Sequence, residues 1–440
     1  MNSPSPNPHS ARAESARRLA RSGNLVAAEN EYLQIPPSAV EYIEALNFIA
    51  MCASARGDRQ RSIATLEKAL ELQPAQPVTL RNLGIAYSDD GRQKDAEAVL
   101  RKALAMAPEL RSTGLYLGRT LERDARPDDA LAAYFPTLVA AHRRGEWVNR
   151  ETTPPGLLEL VLHAIDYTRE QRKALFLNAL TACRAGFGPE AIRRIEESLL
   201  IYLDERPAGY GHAAQRPKFL YIPGLPVAPY LPLEQMPWLK ELEDSSDRIR
   251  AELMSVLEAG EKAVIPFLDI PAGESPERYL NGRQPTPPAW DAFFFYRHGV
   301  RNDENCARCP ETARILDSAP LARIPEHAPE VCFSILAPGT HILPHHGVTN
   351  ARSVVHLPLI VPEECALRVA GEAHIWQEGR CVAFDDTYEH EAWNWSKSTR
   401  AVLILDTWNP FLSAQEQAAF SALVVEIGKF NRRCGLDVIS

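Results

Sequence analysis

Histidine can serve near neutral pH as acid, base or metal ligand, and this chain gathers it in one place. Of its 12 histidines, six lie between positions 341 and 390: His341, His345, His346, His356, His374 and His390. A lone histidine on a strand is more often a satisfied core or surface residue than a ligand. Six in one short stretch shift the reading towards metal. They cannot all be ligands, because neighbours on a strand face opposite ways and only one of His345 and His346 can point inward. Cysteine speaks more weakly. Cys306 and Cys309 form a C-x-x-C, yet a zinc site needs a second pair, no other cysteines are closely spaced, and a thioredoxin-like role lacks its βαβ setting.

Two histidines tens of residues apart, followed by an arginine about a strand beyond the second, is the order used by barrel-type non-haem iron dioxygenases. His345, His390 and Arg400 have that order and spacing. Arginine suits the last place because its planar fork matches a carboxylate bidentately and stays charged. The carboxylate ligand expected at H-x-D/E is absent, since His345-His346 is followed by Gly347. Asp385 and Asp386 are expected to fix their strand and orient His390 rather than to replace that ligand.

The stretches around these residues are long. They include PGLPVAPYLPLEQMPWLKELEDSSDRIRAEL, CARCPET, FSILAPGTHILPHHGVTN, VHLPL, WQEGRCVAFDDTYEHEAWN and RAVLILDTWNP. Residues of about 219–415 thereby resemble the aspartyl/asparaginyl β-hydroxylase family of 2-oxoglutarate- and Fe(II)-dependent dioxygenases, in order and over nearly the whole second half. In members acting on aspartyl residues of peptides, glycine likewise stands at the third-ligand position. The resemblance implies that His345 and His390 are the iron ligands and that Arg400 pairs with the side-chain carboxylate of 2-oxoglutarate. Ser334 would support that same end, and His356 would lie near the keto-acid end. The family often carries arginine two residues before that histidine; here the position is Val354, and Arg352 on the same strand face is the candidate replacement. His341, His346 and His374 are read as structural or exposed. Cys306 and Cys309 are read as a family structural feature, with a reversible disulfide as the alternative. The implied reaction consumes O2 and 2-oxoglutarate, releases succinate and CO2, and hydroxylates the β-carbon of an aspartyl or asparaginyl residue in a protein, peptide or carrier-bound substrate. The alternatives are a non-catalytic repeat adaptor with a decayed dioxygenase-like domain, and a zinc or manganese barrel without redox chemistry; keeping His345, His390 and Arg400 together argues against decay.

The elements that must position these residues fill 440 residues, 45% of them hydrophobic and 24% charged, enough for two or three domains. With 48 basic and 57 acidic side chains the net charge is −9, which disfavours nucleic acid as a main partner. No apolar run approaches a membrane helix, the N-terminus lacks a secretory h-region, and 8 cysteines are too sparse for a disulfide framework. A cytoplasmic protein without membrane insertion is expected.

The first half repeats itself. Leu83, Gly84, Tyr87, Gly91, Ala96, Leu100 and Pro108 fit the tetratricopeptide pattern, with a period of about 34 residues. One period upstream lie Gly57 and Leu66, one downstream Gly118, Ala130 and Tyr134, and a weaker copy holds Gly23 and Tyr32. Such a solenoid is a surface for an extended peptide or partner protein. After residue 205 the chain turns proline- and aromatic-rich, a helix is expected over Leu239–Leu257, and beyond 261 come short apolar runs such as VCFSILAP, CVAFDD and AVLILDTW, which read as antiparallel strands. The expected fold is therefore α + β and multidomain: a disordered start (1–11), a helical tetratricopeptide solenoid (12–205), a linker (206–218), and a double-stranded β-helix of jelly-roll, cupin-like form (219–440).

Overall fold

A computed structural model of the chain describes residues 8–260, 264–270, 274–283 and 287–436. It divides into two compact units, residues up to 174 with 433–436, and residues 175–432.

The first unit is an array of helical hairpins: α1 (Pro8–Arg21) with α2 (Leu25–Leu33), α3 (Tyr42–Ala55) with α4 (Arg59–Leu72), α5 (Pro77–Asp89) with α6 (Gln93–Met106), and α7 (Ser112–Arg123) with α8 (Pro127–His142). Helix α9 (Leu158–Ala179) follows. The expected repeat chemistry explains the packing. A Cβ on Gly84 would lie 2.5 Å from Leu100, and one on Gly118 would lie 2.5 Å from the Tyr134 ring, so only glycine lets the paired helices approach this closely. The hairpin turns use Gly23, Gly57 and Gly91 at φ of +82°, +83° and +85°, where glycine carries no steric penalty. In the fourth hairpin the same position is Ala125, held at φ +55°. The start is helical from Pro8, so residues 8–11 of the expected disordered segment are ordered; residues 1–7 lie outside the described residues.

The second unit begins with α10 (Thr181–Phe187) and α11 (Arg193–Tyr202). These were expected as closing repeats, but their contacts belong to this unit: Arg194 on α11 makes a two-pronged ion pair with Glu416, at 2.6 and 2.7 Å. The expected linker is also part of it. Arg216 N–H bonds Thr387 O at 2.7 Å, Lys218 N–H bonds Gly347 O at 3.1 Å, and Phe219 N–H bonds Val348 O at 3.0 Å. The expected single helix is two, α12 (Leu239–Asp244) and α13 (Ser246–Glu258), parted at buried Ser245, within an Asp-Ser-Ser run whose side chains compete with helical backbone bonds.

Among the described residues twelve strands follow, with two short helices, α14 (Asp303–Arg308) and α15 (Pro310–Ser318), between the fourth and fifth. The first four are β1 (Ile265–Pro266), β2 (Leu280–Gly282), β3 (Trp290–Arg297) and β4 (Val300–Arg301). The last eight are β5 (Val331–Leu336), β6 (Thr340–His345), β7 (Arg352–Ile360), β8 (Cys365–Val369), β9 (Glu372–His374), β10 (Val382–Phe384), β11 (His390–Asn394) and β12 (Arg400–Trp408). A last helix, α16 (Ala414–Arg433), closes the chain. One sheet runs β1-β3-β5-β12-β7-β10 with β4 on β3, and the other β2-β6-β11-β8-β9, all antiparallel. Of the last eight strands, β5, β7, β10 and β12 lie in the larger sheet and β6, β8, β9 and β11 in the smaller, so the chain crosses between the sheets at every step except the β8–β9 hairpin, as in a double-stranded β-helix. Its interior holds Phe294, Leu336, Leu367, Phe384 and Ile404. The outer face of the larger sheet packs its other residues, Phe293, Phe333, Leu357 and Leu403, with Leu242, Leu253 and Leu316 of α12, α13 and α15. Among the described residues no helix is long and apolar enough to cross a membrane.

Candidate functional site

The site is built where β6 ends and β11 begins. His345 and His390 are cross-strand partners, and their rings lie 4.0 Å apart, centroid to centroid. Each ring is set by a local backbone bond. His345 Nδ1 meets Leu343 O at 2.8 Å and His390 Nδ1 meets Tyr388 O at 3.0 Å. With the Nδ1 proton given to a carbonyl, the Nε2 lone pair is the one left for a metal. Burial, and for His345 the neighbouring His390, pushes the two down to about 3 and about 4, so both are neutral at physiological pH, as ligands must be. Among the described residues no group of three His, Cys, Asp or Glu side chains is placed to hold a metal.

The space of a third side chain is filled. A Cβ on Gly347 would lie 2.0 Å from Cγ of Asp386. The Asp386 carboxylate is buried, its Oδ1 has no hydrogen-bond partner, and burial raises its pKa. Tyr388 O sets the His390 ring, and the Asp386 main chain adds a further hydrogen bond to it. Asp385 instead accepts from Thr387 and from Gln215 Nε2 at 3.0 Å, pinning the 206–222 segment to the loop before β11. Asp386 faces the histidines.

Arg400 opens β12 and is 1% exposed. Its guanidinium lies 4.4 Å from the Trp376 ring, and Nη1 reaches Ser334 Oγ at 3.4 Å. Its Nε has no hydrogen-bond partner, and it forms no ion pair among the described residues. Burial without a counter-charge lowers it to about 10. Ser334 also accepts from Trp290 Nε1 at 2.9 Å. His356 is buried with Nδ1 unpartnered; burial, then Arg400, holds it well below the ordinary value. A cavity of about 220 Å³ brings together all six residues singled out from the sequence, His345, His390, Arg400, Ser334, His356 and Arg352. Arg352 is not free there: it bonds Asp406 at 2.5 Å and lies 3.8 Å from Asp386.

The remaining histidines are tied elsewhere, His341 to Glu391 at 2.5 Å and His346 to Thr387 O at 3.1 Å, while His374 packs on Tyr230. Cys306 and Cys309 are both free thiols and buried. Sequence reasoning missed Trp376, Phe267 stacked on Trp290 at 3.9 Å, and the ordered 206–222 segment. These residues have no spacing rule that would have exposed them.

Comparison with known proteins places the sheet domain beside characterised hydroxylases. A family model described as Aspartyl/Asparaginyl beta-hydroxylase covers residues 243–410. The sheet domain is thus similar to that family over most of its length. A tetratricopeptide repeat model covers residues 41–109. The hydroxylase domain is similar to human Aspartyl/asparaginyl beta-hydroxylase, 37% identical over 30% of this chain and 18% of that protein. Human Aspartate beta-hydroxylase domain-containing protein 2 is 32% identical over 50% of this chain and 56% of its own. The Ornithine lipid ester-linked acyl 2-hydroxylase of Rhizobium tropici is 37% identical over 40% of this chain and 59% of its own. In each case the match spans less than two thirds of the relative.

Proposed function

We propose that the chain is an Fe(II)- and 2-oxoglutarate-dependent hydroxylase acting on the β-carbon of an aspartyl or asparaginyl residue in a protein, peptide or carrier-bound substrate, with the repeats recruiting that substrate or its carrier. The observation that carries the reading is the pairing, in one cavity, of two neutral histidines with a buried, uncompensated arginine.

The residues fit both groups. His345 and His390 would hold the metal through Nε2, and Arg400 with Ser334 would grip the far carboxylate of 2-oxoglutarate, supplying the counter-charge that Arg400 lacks. Iron, O2 and 2-oxoglutarate together supply the oxidising power, with succinate, CO2 and a new hydroxyl as products. The protein contributes placement and exclusion of water. Neutral His356 beside Arg400 offers Nδ1 towards the cavity. Trp290, Phe267, Leu367 and Phe384 line the cavity and keep it dry. Asp386, over Gly347, offers a carboxylate beside the metal that is not itself a third protein ligand. The free cysteines suit a reducing, cytoplasmic setting.

A second reading, hydroxylation of an acyl chain, is favoured by those apolar walls. The test is succinate formation from 2-oxoglutarate by anaerobically purified protein given Fe(II), O2 and either an Asp/Asn-rich peptide pool or ornithine-lipid micelles, with His390→Ala beside it. Iron-dependent succinate that is lost in the variant, with one oxygen added to the pool, supports the reading. Absence of both turnover and 2-oxoglutarate binding points to the adaptor.

A further inference from the structure

The repeat unit contains a half-buried arginine, Arg81, that no acid pairs among the described residues, remote in kind from the catalytic chemistry. The groove along α3 and α5 encloses a cavity of about 340 Å³ lined in part by Asn47, Phe48, Met51, Arg81 and Asn82; its one carboxylate, Glu44, is taken up by Arg17 and Tyr32. Its polar groups form a relay. Arg81 donates Nε–H and Nη2–H to Asn82 Oδ1 at 3.2 and 3.0 Å, and Nη1–H to Ser112 Oγ at 3.1 Å. Asn82 Nδ2 donates to Asn47 Oδ1 at 2.8 Å, and Asn47 Nδ2 to Thr79 Oγ1 at 2.8 Å. Every acceptor Arg81 finds is neutral, and it forms no ion pair among the described residues. A guanidinium has five N–H donors, so three such bonds leave one N–H on each terminal nitrogen, the fork that a carboxylate fits. Burial holds the Arg81 guanidinium below its ordinary value, and no carboxylate counters it.

The next hairpin repeats the condition. Arg119 on α7 has a buried Nε without a hydrogen-bond partner. Its nearest carboxylate, Asp89 at 3.9 Å, is already bonded by Arg123 at 2.7 Å. Tyr116 lies against Arg119, 5.0 Å from ring centroid to guanidinium. Two under-compensated arginines, one on each of two neighbouring hairpins, set a charge pattern along the groove that an extended chain with acidic side chains would complement.

We propose that the repeat groove centred on Arg81 is a binding site for an extended acidic peptide, one carboxylate seated on the Arg81 fork and flanking acids drawn to Arg119. This names the chemistry of the partner that the repeats recruit, and it stands whether or not the hydroxylase reading holds.

The experiment is fluorescence anisotropy on the full chain with a labelled glycine–serine peptide carrying a central run of glutamates, beside the same peptide with glutamines. The acidic peptide binds and the glutamine peptide does not. Arg81→Gln weakens binding at least about tenfold, Arg81→Lys restores part of it because a point charge lacks the fork, and high salt weakens the wild type. Thermal melts by circular dichroism show that both variants fold. Failure of the acidic peptide to bind, equal binding of the glutamine peptide, or unchanged affinity in a folded Arg81→Gln protein overturns the proposal.

Discussion

Replacing Arg400 by methionine should make the protein more stable and blind to 2-oxoglutarate at once. Burial brings the guanidinium down from its ordinary value to about 10. At neutral pH the group is charged in both the folded and unfolded chains, so the whole shift counts against folding, about 3 kcal/mol at about 1.4 kcal/mol per unit. The Trp376 face at 4.4 Å offsets about 1 kcal/mol of that in the wild type. Methionine has similar length and no charge, so the variant should gain about 2 kcal/mol, or roughly 4–8 °C in the melting temperature of a domain this size. The loss in binding is larger. Two charge-assisted bonds of about 1.5–3 kcal/mol each imply at least about a hundredfold weaker 2-oxoglutarate binding. Scanning calorimetry with Mn(II) in place of iron reads both effects. The wild type should melt higher when 2-oxoglutarate is added, and Arg400→Met should start higher and not move. A variant less stable than the wild type without co-substrate would show that a counter-charge already serves Arg400. A variant still stabilised by 2-oxoglutarate would place the co-substrate elsewhere.

Other consequences can be checked as directly. Burial raises Glu330 to about 7 from 4.5, so its ionisation costs folding energy that grows as pH rises through that interval; the melting advantage of Glu330→Gln should therefore grow by about 2 kcal/mol between pH of about 5.5 and 8.5. Gly347→Ala would drive a methyl into the Asp386 carboxylate, lowering stability by about 1–3 kcal/mol and iron-dependent succinate formation with it. Adding Asp386→Gly should return the stability but not the turnover. Ala125→Gly should raise the unfolding free energy of the repeat unit, read by urea titration, by about 0.5 kcal/mol, because the relief of the left-handed backbone at φ +55° exceeds the entropy that glycine adds to the unfolded chain.

Local chemistry was readable because it repeats or follows a spacing rule. The 34-residue period placed the turn glycines and the close-approach positions Gly84 and Gly118, whose environments are those a helix hairpin demands. Strand-length apolar runs revealed the second unit as antiparallel β structure. Order and spacing, read together with the family resemblance, singled out His345, His390 and Arg400, and each sits at a strand end.

What the sequence by itself determined was thus the class of each half and the residue types that can do chemistry. The tertiary structure decided which charges are satisfied. Arg352 and Arg400 are both buried arginines on strands of one sheet, yet β12 carries Asp406 to Arg352 and nothing acidic to Arg400. Asp385 and Asp386 are adjacent in the chain, yet one is spent on Thr387 and Gln215 and the other fills the gap over Gly347. Residues 206–218 look like a linker because proline and glycine break periodicity, but their backbone bonds are made to strand-end loops more than a hundred residues away. Desolvation and pairing depend on what arrives from distant strands, and no local pattern of residues encodes that.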